Sequence, residues 1–138
     1  ALELAKQSSC VSHKVGALII KDDRIISMGY NGTPSGYKNC SAVFNPNNFN
    51  REEHHKWSNN HESHAEMNAI AFAAKNGIST NGAIMICTLQ PCNNCLKTII
   101  QTGIKEVYYI HKYDKIEKHD PDFYEYLKEK LIIKQIEM

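Results

Sequence analysis

A three-layer α/β/α fold around a mixed sheet of about five strands is what the order of segments predicts. Three observations carry that reading. Two apolar, β-rich runs stand close together near the start, joined by turn residues. Strand-like and helix-like segments then alternate through the second half. Finally, 138 residues suit a single domain over 1–138, one that buries roughly two-thirds of its unfolded surface.

The first segment, ALELAKQSS, reads as the end of an amphipathic helix, so the natural protein is expected to extend upstream of Ala1. VGALII (15–20) and RIISMGY (24–30) flank Lys21-Asp22-Asp23, and apolar runs on either side of turn chemistry predict a hairpin. From Asn31 to Asn60 the chain is rich in Asn, Gly, Pro and Ser, with scattered aromatics. That stretch reads as a long loop, and a long loop in a compact domain is functional or tied down. Ser63 suits the N-cap of a helix over 64–76 that Gly77 stops. Ala65, Ala69 and Ala73 stack on one of its faces, and Ile70, Phe72 and Ala74 widen the apolar surface, so burial of most of this helix is expected. AIMIC (83–87) is a strand. Pro91 opens a helix to about Gln101, stopped by Gly103. EVYYI (106–110) is a further strand. Pro121 opens a polar, aromatic helix to about Lys130, and LIIKQI supplies the last strand.

Charge narrows the function classes. Lys and Arg number 16 against 15 Asp and Glu, a net +1, which argues against an electrostatic grip on long nucleic acid. No run of about eighteen apolar residues suggests a membrane helix, and no charged-then-apolar leader suggests secretion. Five cysteines in such a chain point to thiols and metal rather than disulfides. Cys87, inside an apolar run, reads as a buried strand residue.

Chemistry concentrates in HAEMNAI (64–70) and TLQPCNNC (88–95). His64, Cys92 and Cys95 offer three zinc ligands and leave a fourth tetrahedral position open, which separates a catalytic zinc from a closed structural one. Glu66, two residues from the histidine, is placed to move protons for the metal's water. Each piece has a plainer reading. Ser63 through Glu66 also fits a capping box, and a lone Cys-x-x-Cys also fits a redox pair or half of a zinc knuckle. Together they place two helix N-termini around one metal, where the positive ends favour thiolates. A closed knuckle has no use for Glu66. Residues two apart do not share a helix face, but in a first turn both can lean beyond the helix end. The pattern resembles the H-x-E and P-C-x-x-C signature of zinc-dependent deaminases. Zinc would lower the pKa of its water to about 7. Glu66 would take that water's proton, pass it to a pyrimidine ring nitrogen, and then protonate the departing amine.

A further motif, GYNGTPSG (29–36), follows the second strand. Joined to KVGALII, HAEMNAI and TLQPCNNC, it makes the sequence resemble the deoxycytidylate (dCMP) deaminase family, bacteriophage type, from about Ala1 to Asp114. The resemblance implies the cytidine-deaminase-like version of the fold and hydrolysis of dCMP to dUMP and ammonia, supplying thymidylate synthesis. Read alone, Asn31-Gly32 and Pro34-Ser35-Gly36 mark tight turns. By resemblance, Thr33 and Ser35 would donate to phosphate oxygens and Asn31 would hydrogen-bond the deoxyribose. The Ala65 amide would hold the base carbonyl, the Gln90 carbonyl would accept from the amine, and Tyr113 would close over the base or phosphate.

The resemblance also implies a second, structural zinc on Cys10, Cys40, His54 and Glu62, which would clip the long polar stretch in place. Read as residues alone, Cys10 and Cys40 are equally buried thiols, and the adjacent His55 leaves the choice of imidazole open. Further family properties are a homo-hexamer in the cytoplasm (the host's, for a phage protein), activation by dCTP and inhibition by dTTP, with magnesium accompanying a triphosphate. Lys75 stands near the subunit and effector contact, where relatives often carry Arg; Lys keeps the charge but loses the bidentate fork. Histidines 13, 55, 61, 111 and 119 show no partner pattern and read as surface or core residues, and 112–120 reads as a solvated loop. Rival functions are deamination of dCTP, a tRNA or polynucleotide deaminase, which needs a basic groove with stacking aromatics, and a non-catalytic zinc module, against which Glu66 speaks.

Overall fold

A computed structural model of the chain describes residues 1–113 and 120–137. Asp114, His119 and most of the stretch expected as a solvated loop lie outside the described residues. The elements are α1 (Leu2–Ala5), β1 (Gly16–Lys21), β2 (Arg24–Tyr30), α2 (Cys40–Val43), α3 (Arg51–His61), α4 (Ala65–Lys75), β3 (Ile84–Leu89), α5 (Asn93–Gln101), β4 (Glu106–His111), α6 (Pro121–Lys130) and β5 (Ile132–Gln135).

The strands form one mixed sheet in the order β2-β1-β3-β4-β5. β1 runs antiparallel to β2 and β3. β3, β4 and β5 are mutually parallel. The hairpin forms where expected: Asp22 and Asp23 both take positive φ, 52° and 61°. Paired positive φ values give the two-residue turn whose twist matches its strands.

Register shows which face each helix covers. Ala17 pairs with Gly29, so Gly29 and Gly16 point to opposite faces. A Cβ on Gly29 would lie 2.5 Å from the Ala69 backbone nitrogen of α4, and one on Gly16 would lie 2.5 Å from the Ala1 carbonyl beside α1. Hence α4 and α1 sit on opposite faces. The α4 face holds the core: Ala17, Ile19, Met85, Cys87 and Val107 are 0% exposed. Leu96 and Ile99 of α5 and Tyr124 and Leu127 of α6 join that cluster.

The opposite layer is thinner than two full helical layers would make it. It carries the single turn of α1, and Ile25 and Met28 on β2 are 54% and 50% exposed.

Burial of α4 is also narrower than expected. Its alanine stripe is covered, but Phe72 is 50% exposed. Alanines let the helix backbone come close to Gly29, and Met67 and Ile70 pack beside the stripe while Phe72 faces away. Ser27 Oγ seals the contact, donating to the Ala69 carbonyl at 2.6 Å.

The largest departure is in the polar stretch, which contains α2 and the eleven-residue α3 rather than a bare loop. Asn50 caps α3 by accepting from the Glu53 amide at 3.0 Å, and Glu52 and Glu53 sit in its first turn. Caps and first-turn acids start helices without any apolar stripe. Phe44 packs edge-on against Phe49, His54 and Trp57, and His61 stacks on Trp57 and Tyr37. This small aromatic cluster does much of the ordering the stretch needs.

Candidate active site

Two helix starts meet over the carboxyl end of β3. His64 is the N-cap of α4 and Cys92 the N-cap of α5, each with extended backbone. The expected Ser63 cap does not form, nor does the capping box that the same residues also fit. Ser63 pairs through its backbone with Gly32 (2.8 and 3.1 Å), and the cap position passes to His64. Pro91 likewise stands just before the N-cap rather than inside α5.

His64 Nδ1 lies 3.2 Å from Cys95 Sγ and 3.6 Å from Cys92 Sγ. The three ligand atoms lie within 4.8 Å of one another. The three donors share protons, and a metal would have to displace those held by His64 and Cys95. A hydrogen bond with Cys95 draws the Cys92 thiol down, and the bond with Cys92 raises the His64 imidazole. Cys95 is pushed up by its bond with Cys92 and by burial. Two sulfurs and a ring nitrogen aimed at one point are the donor set of zinc with an open position.

Glu66 lies in the first turn of α4 and is 4% exposed. Burial raises its carboxyl above the ordinary range, the direction a group needs to act first as base and then as acid. His64, Glu66 and Cys92 line one cavity of about 270 Å³, with Val15, Asn31, Ala65, Leu89, Gln90 and Tyr113 among its walls. The first-turn amides of α4, Ala65 included, have no intrahelical acceptor.

Substrate residues expected from the resemblance divide into those facing this cavity and those elsewhere. Asn31 lines it, and its side chain ties the approach to β1: Oδ1 accepts from the Val15 amide at 2.9 Å and Nδ2 donates to the His13 carbonyl at 2.8 Å. Gln90 is 3% exposed and its side chain is engaged. Nε2 donates to Tyr124 at 2.9 Å and Oε1 accepts from the Tyr113 amide at 3.1 Å. Thr33 and Ser35 line a different cavity, with Tyr30, Tyr37, Asn68 and Phe72. Gly32, just before them, pairs with Ser63, and Asn31 lines both cavities. Lys75 ends α4 and is exposed.

The second expected set also converges. One ligand atom each from Cys10, Cys40, His54 and Glu62 falls within 4.8 Å of the others. His54 Nε2 lies 3.3 Å from Cys40 Sγ and 3.6 Å from Cys10 Sγ. His54 is thus the imidazole that joins them, and the neighbouring His55 points elsewhere. Both Glu62 carboxylate oxygens are buried without a hydrogen-bond partner. An uncompensated buried carboxylate is costly, and a cation at the cluster would satisfy it. Burial pushes the Cys40 thiol up to about 11, so a metal would have to displace its proton.

Ser12, His13, His55, Ser58 and Asn59 line the same cavity as Glu66, and sequence reasoning missed them. The signal within reach was the helix over 51–61: His55, Ser58 and Asn59 share one face only once that helix exists.

Residues 1–111 match the model of the cytidine and deoxycytidylate deaminase zinc-binding region. The deoxycytidylate deaminase of Enterobacteria phage T2 is 41% identical over 143 aligned residues, covering 81% of this chain and 76% of the relative. That of Enterobacteria phage T4 is 40% identical over the same span, covering 81% and 74%. The crystal structure of dCMP deaminase from the cyanophage S-TIM5 in complex with dCMP and dUMP superposes with a TM-score of 0.77 at 32% identity, covering 99% of this chain and 90% of that one.

Proposed function

The chain belongs to the cytidine and deoxycytidylate deaminase family, and on that premise we propose that it hydrolyses dCMP to dUMP and ammonia. The observation that carries this reading is the meeting of His64, Cys92 and a buried Glu66 in one cavity, with Cys95 completing the donor set. Zinc held by His64, Cys92 and Cys95 would supply Lewis acidity and an acidified water.

The chain's own groups do the rest. Glu66 takes one proton from the attacking water and gives it to the ring nitrogen beside the amine-bearing carbon; it then takes the second proton from the new hydroxyl and gives it to the amine, so that the C–N bond breaks and ammonia leaves. Its burial keeps bulk water from competing for that proton. The Ala65 amide, at the start of α4, is suited to the base carbonyl. Because the Gln90 side chain is already engaged, its main-chain carbonyl takes the role of accepting from the amine. Val15 and Leu89 offer apolar walls to the ring, and Tyr113 closes one side. Asn31, fixed by its two backbone bonds, offers its remaining hydrogen to the deoxyribose.

A second zinc on Cys10, Cys40, His54 and Glu62 belongs to the same reading, supported by the orphaned Glu62 oxygens. So do the supply of dUMP for thymidylate synthesis, a cytoplasmic hexamer, and control by dCTP and dTTP, magnesium included, near Lys75; these rest on the family resemblance. Deamination of dCTP is the second reading. A cavity of about 270 Å³ is at the small end of ligand pockets and favours the monophosphate. For a polynucleotide substrate the near-neutral charge is unsuited, and no Lys or Arg is among the described residues lining the cavity.

Zinc per chain, measured together with ammonia release from dCMP and dCTP side by side, tests this reading. Two zincs and faster turnover of dCMP are expected. A fully metallated sample inert toward both nucleotides removes the assignment, and a single zinc removes the second centre.

A further inference from the structure

One buried polar side chain joins the cavity to the last helix. Gln90 is 3% exposed and Tyr124, on α6, is 5% exposed. Gln90 Nε2 donates to the Tyr124 hydroxyl at 2.9 Å, and Oε1 accepts from the Tyr113 amide at 3.1 Å. The Gln90 main-chain amide donates to the His111 carbonyl at 2.8 Å. A backbone N–H can only donate, so Oε1 must face Tyr113, and Nε2 is left to face Tyr124. The hydroxyl at one end thus holds the amide in the orientation that the other end needs.

Tyr113 depends on that hold. It stands two residues past the last ladder pair of β3 and β4, Leu89 with His111. Its amide is tied to Gln90, and it lines the cavity together with Glu66 and Cys92. Gln90 lines the same cavity and stands two residues before Cys92. Tyr124 is not among the described lining residues. It belongs to the same core cluster as Leu127 and Leu131, and Lys128 Nζ lies 5.5 Å from its ring centroid. α6 is therefore an anchor outside the cavity, and the Gln90 side chain is the strut between anchor and wall.

We propose that Tyr124 is a positioning residue for the nucleotide, acting through the Gln90 side chain to keep Tyr113 on the cavity wall. The proposal rests on the reading of this cavity as the dCMP site. Removing the hydroxyl strands the Gln90 NH2 group in a buried place, at a cost that a turned or shifted amide relieves. Either movement takes the acceptor away from the Tyr113 N–H. Tyr113 is then released at its backbone, and the substrate loses a wall. That wall meets the nucleotide before and during reaction alike, so its loss falls on KM rather than kcat. A core hydroxyl that only stabilised the fold would lower Tm and leave KM alone.

The test compares Tyr124→Phe with the unaltered protein, both zinc-loaded, and repeats the comparison on a Tyr113→Ala background. With Tyr113 present, losing the hydroxyl should raise KM for dCMP roughly three- to tenfold, the worth of one hydrogen bond, with kcat within about twofold. On the Tyr113→Ala background the same change should move KM by less than about twofold, because residues acting through one partner are not additive. Gln90→Met, which keeps the length and removes both side-chain bonds, should raise KM at least as much as Tyr124→Phe. Calorimetric binding of dUMP, a readout that needs no turnover, should weaken in step with KM. Unchanged KM and dUMP affinity with a lowered Tm, or a KM change of equal size on both backgrounds, overturns the proposal. An unaltered, zinc-loaded chain that binds no dUMP removes the functional reading and this role with it. A chain that binds dUMP equally well with and without the hydroxyl removes this role alone.

Discussion

Cys95 sits in α5 beside Leu96 and Ile99, both 0% exposed in the main core, whereas Cys40 sits on the four-residue α2 among aromatics outside that core. The donor sets are alike in composition and differ in foundation. His64, Cys92 and Cys95 are held by two helices packed on a five-stranded sheet, so their places would persist without a metal. Cys10, Cys40, His54 and Glu62 come from segments around a small aromatic cluster outside the main core, and both Glu62 carboxylate oxygens are buried without a partner. The first set has three donors and an adjacent acid-base group; the second has four donors and none. A metal in the first would be held on a rigid platform beside Glu66. A metal in the second would reinforce the small aromatic cluster that orders the stretch.

Three substitutions put that contrast under strain. The largest effect belongs to Glu66→Gln. Ammonia release from dCMP should fall by about 10²–10⁴ in kcat, the usual worth of a positioned proton-transfer group, with zinc content unchanged. A loss of less than about tenfold would remove Glu66 from proton transfer. Next is Cys40→Ser, which should lower zinc from two per chain to one and speed amide exchange in α2 and α3 by roughly a hundredfold. The amides of β1, β3 and β4 should keep their protection, because the sheet does not depend on that cluster. If sheet and insertion lose protection together, the two foundations are not separate. The smallest effect is Ser27→Ala, on the sheet side. Loss of its bond to the Ala69 carbonyl should cost about 1 kcal/mol and lower Tm by about 3–5 °C. Zinc stoichiometry in that variant should remain that of the unaltered chain.

Much of the first foundation could be read from residue order. The hairpin turn at Asp22-Asp23, the glycine stops after α4 and α5, and the alanine stripe facing Gly29 are local or periodic signals. His64, Glu66, Cys92 and Cys95 were legible because two short motifs each hold their residues within one turn of chain. The insertion was harder. α3 has no apolar stripe, only a capping Asn50 and first-turn acids, and its residues gain partners from Phe44 and Tyr37, distant in sequence. Read without α3, His55, Ser58 and Asn59 show no common face, and nothing places them beside Glu66.

By itself, the sequence determined what kinds of atoms are available and where helices and strands begin. Those depend on backbone sterics, caps and side-chain periodicity, which act over a few neighbours. Only the tertiary structure decided which donors share a cavity. It put His13 and His55 in the walls of the cavity that holds Glu66, set Thr33 and Ser35 along another that shares Asn31, and chose His54 over His55 for the sulfur cluster. Those outcomes turn on angles between elements, and the angles come from packing between segments far apart in the chain.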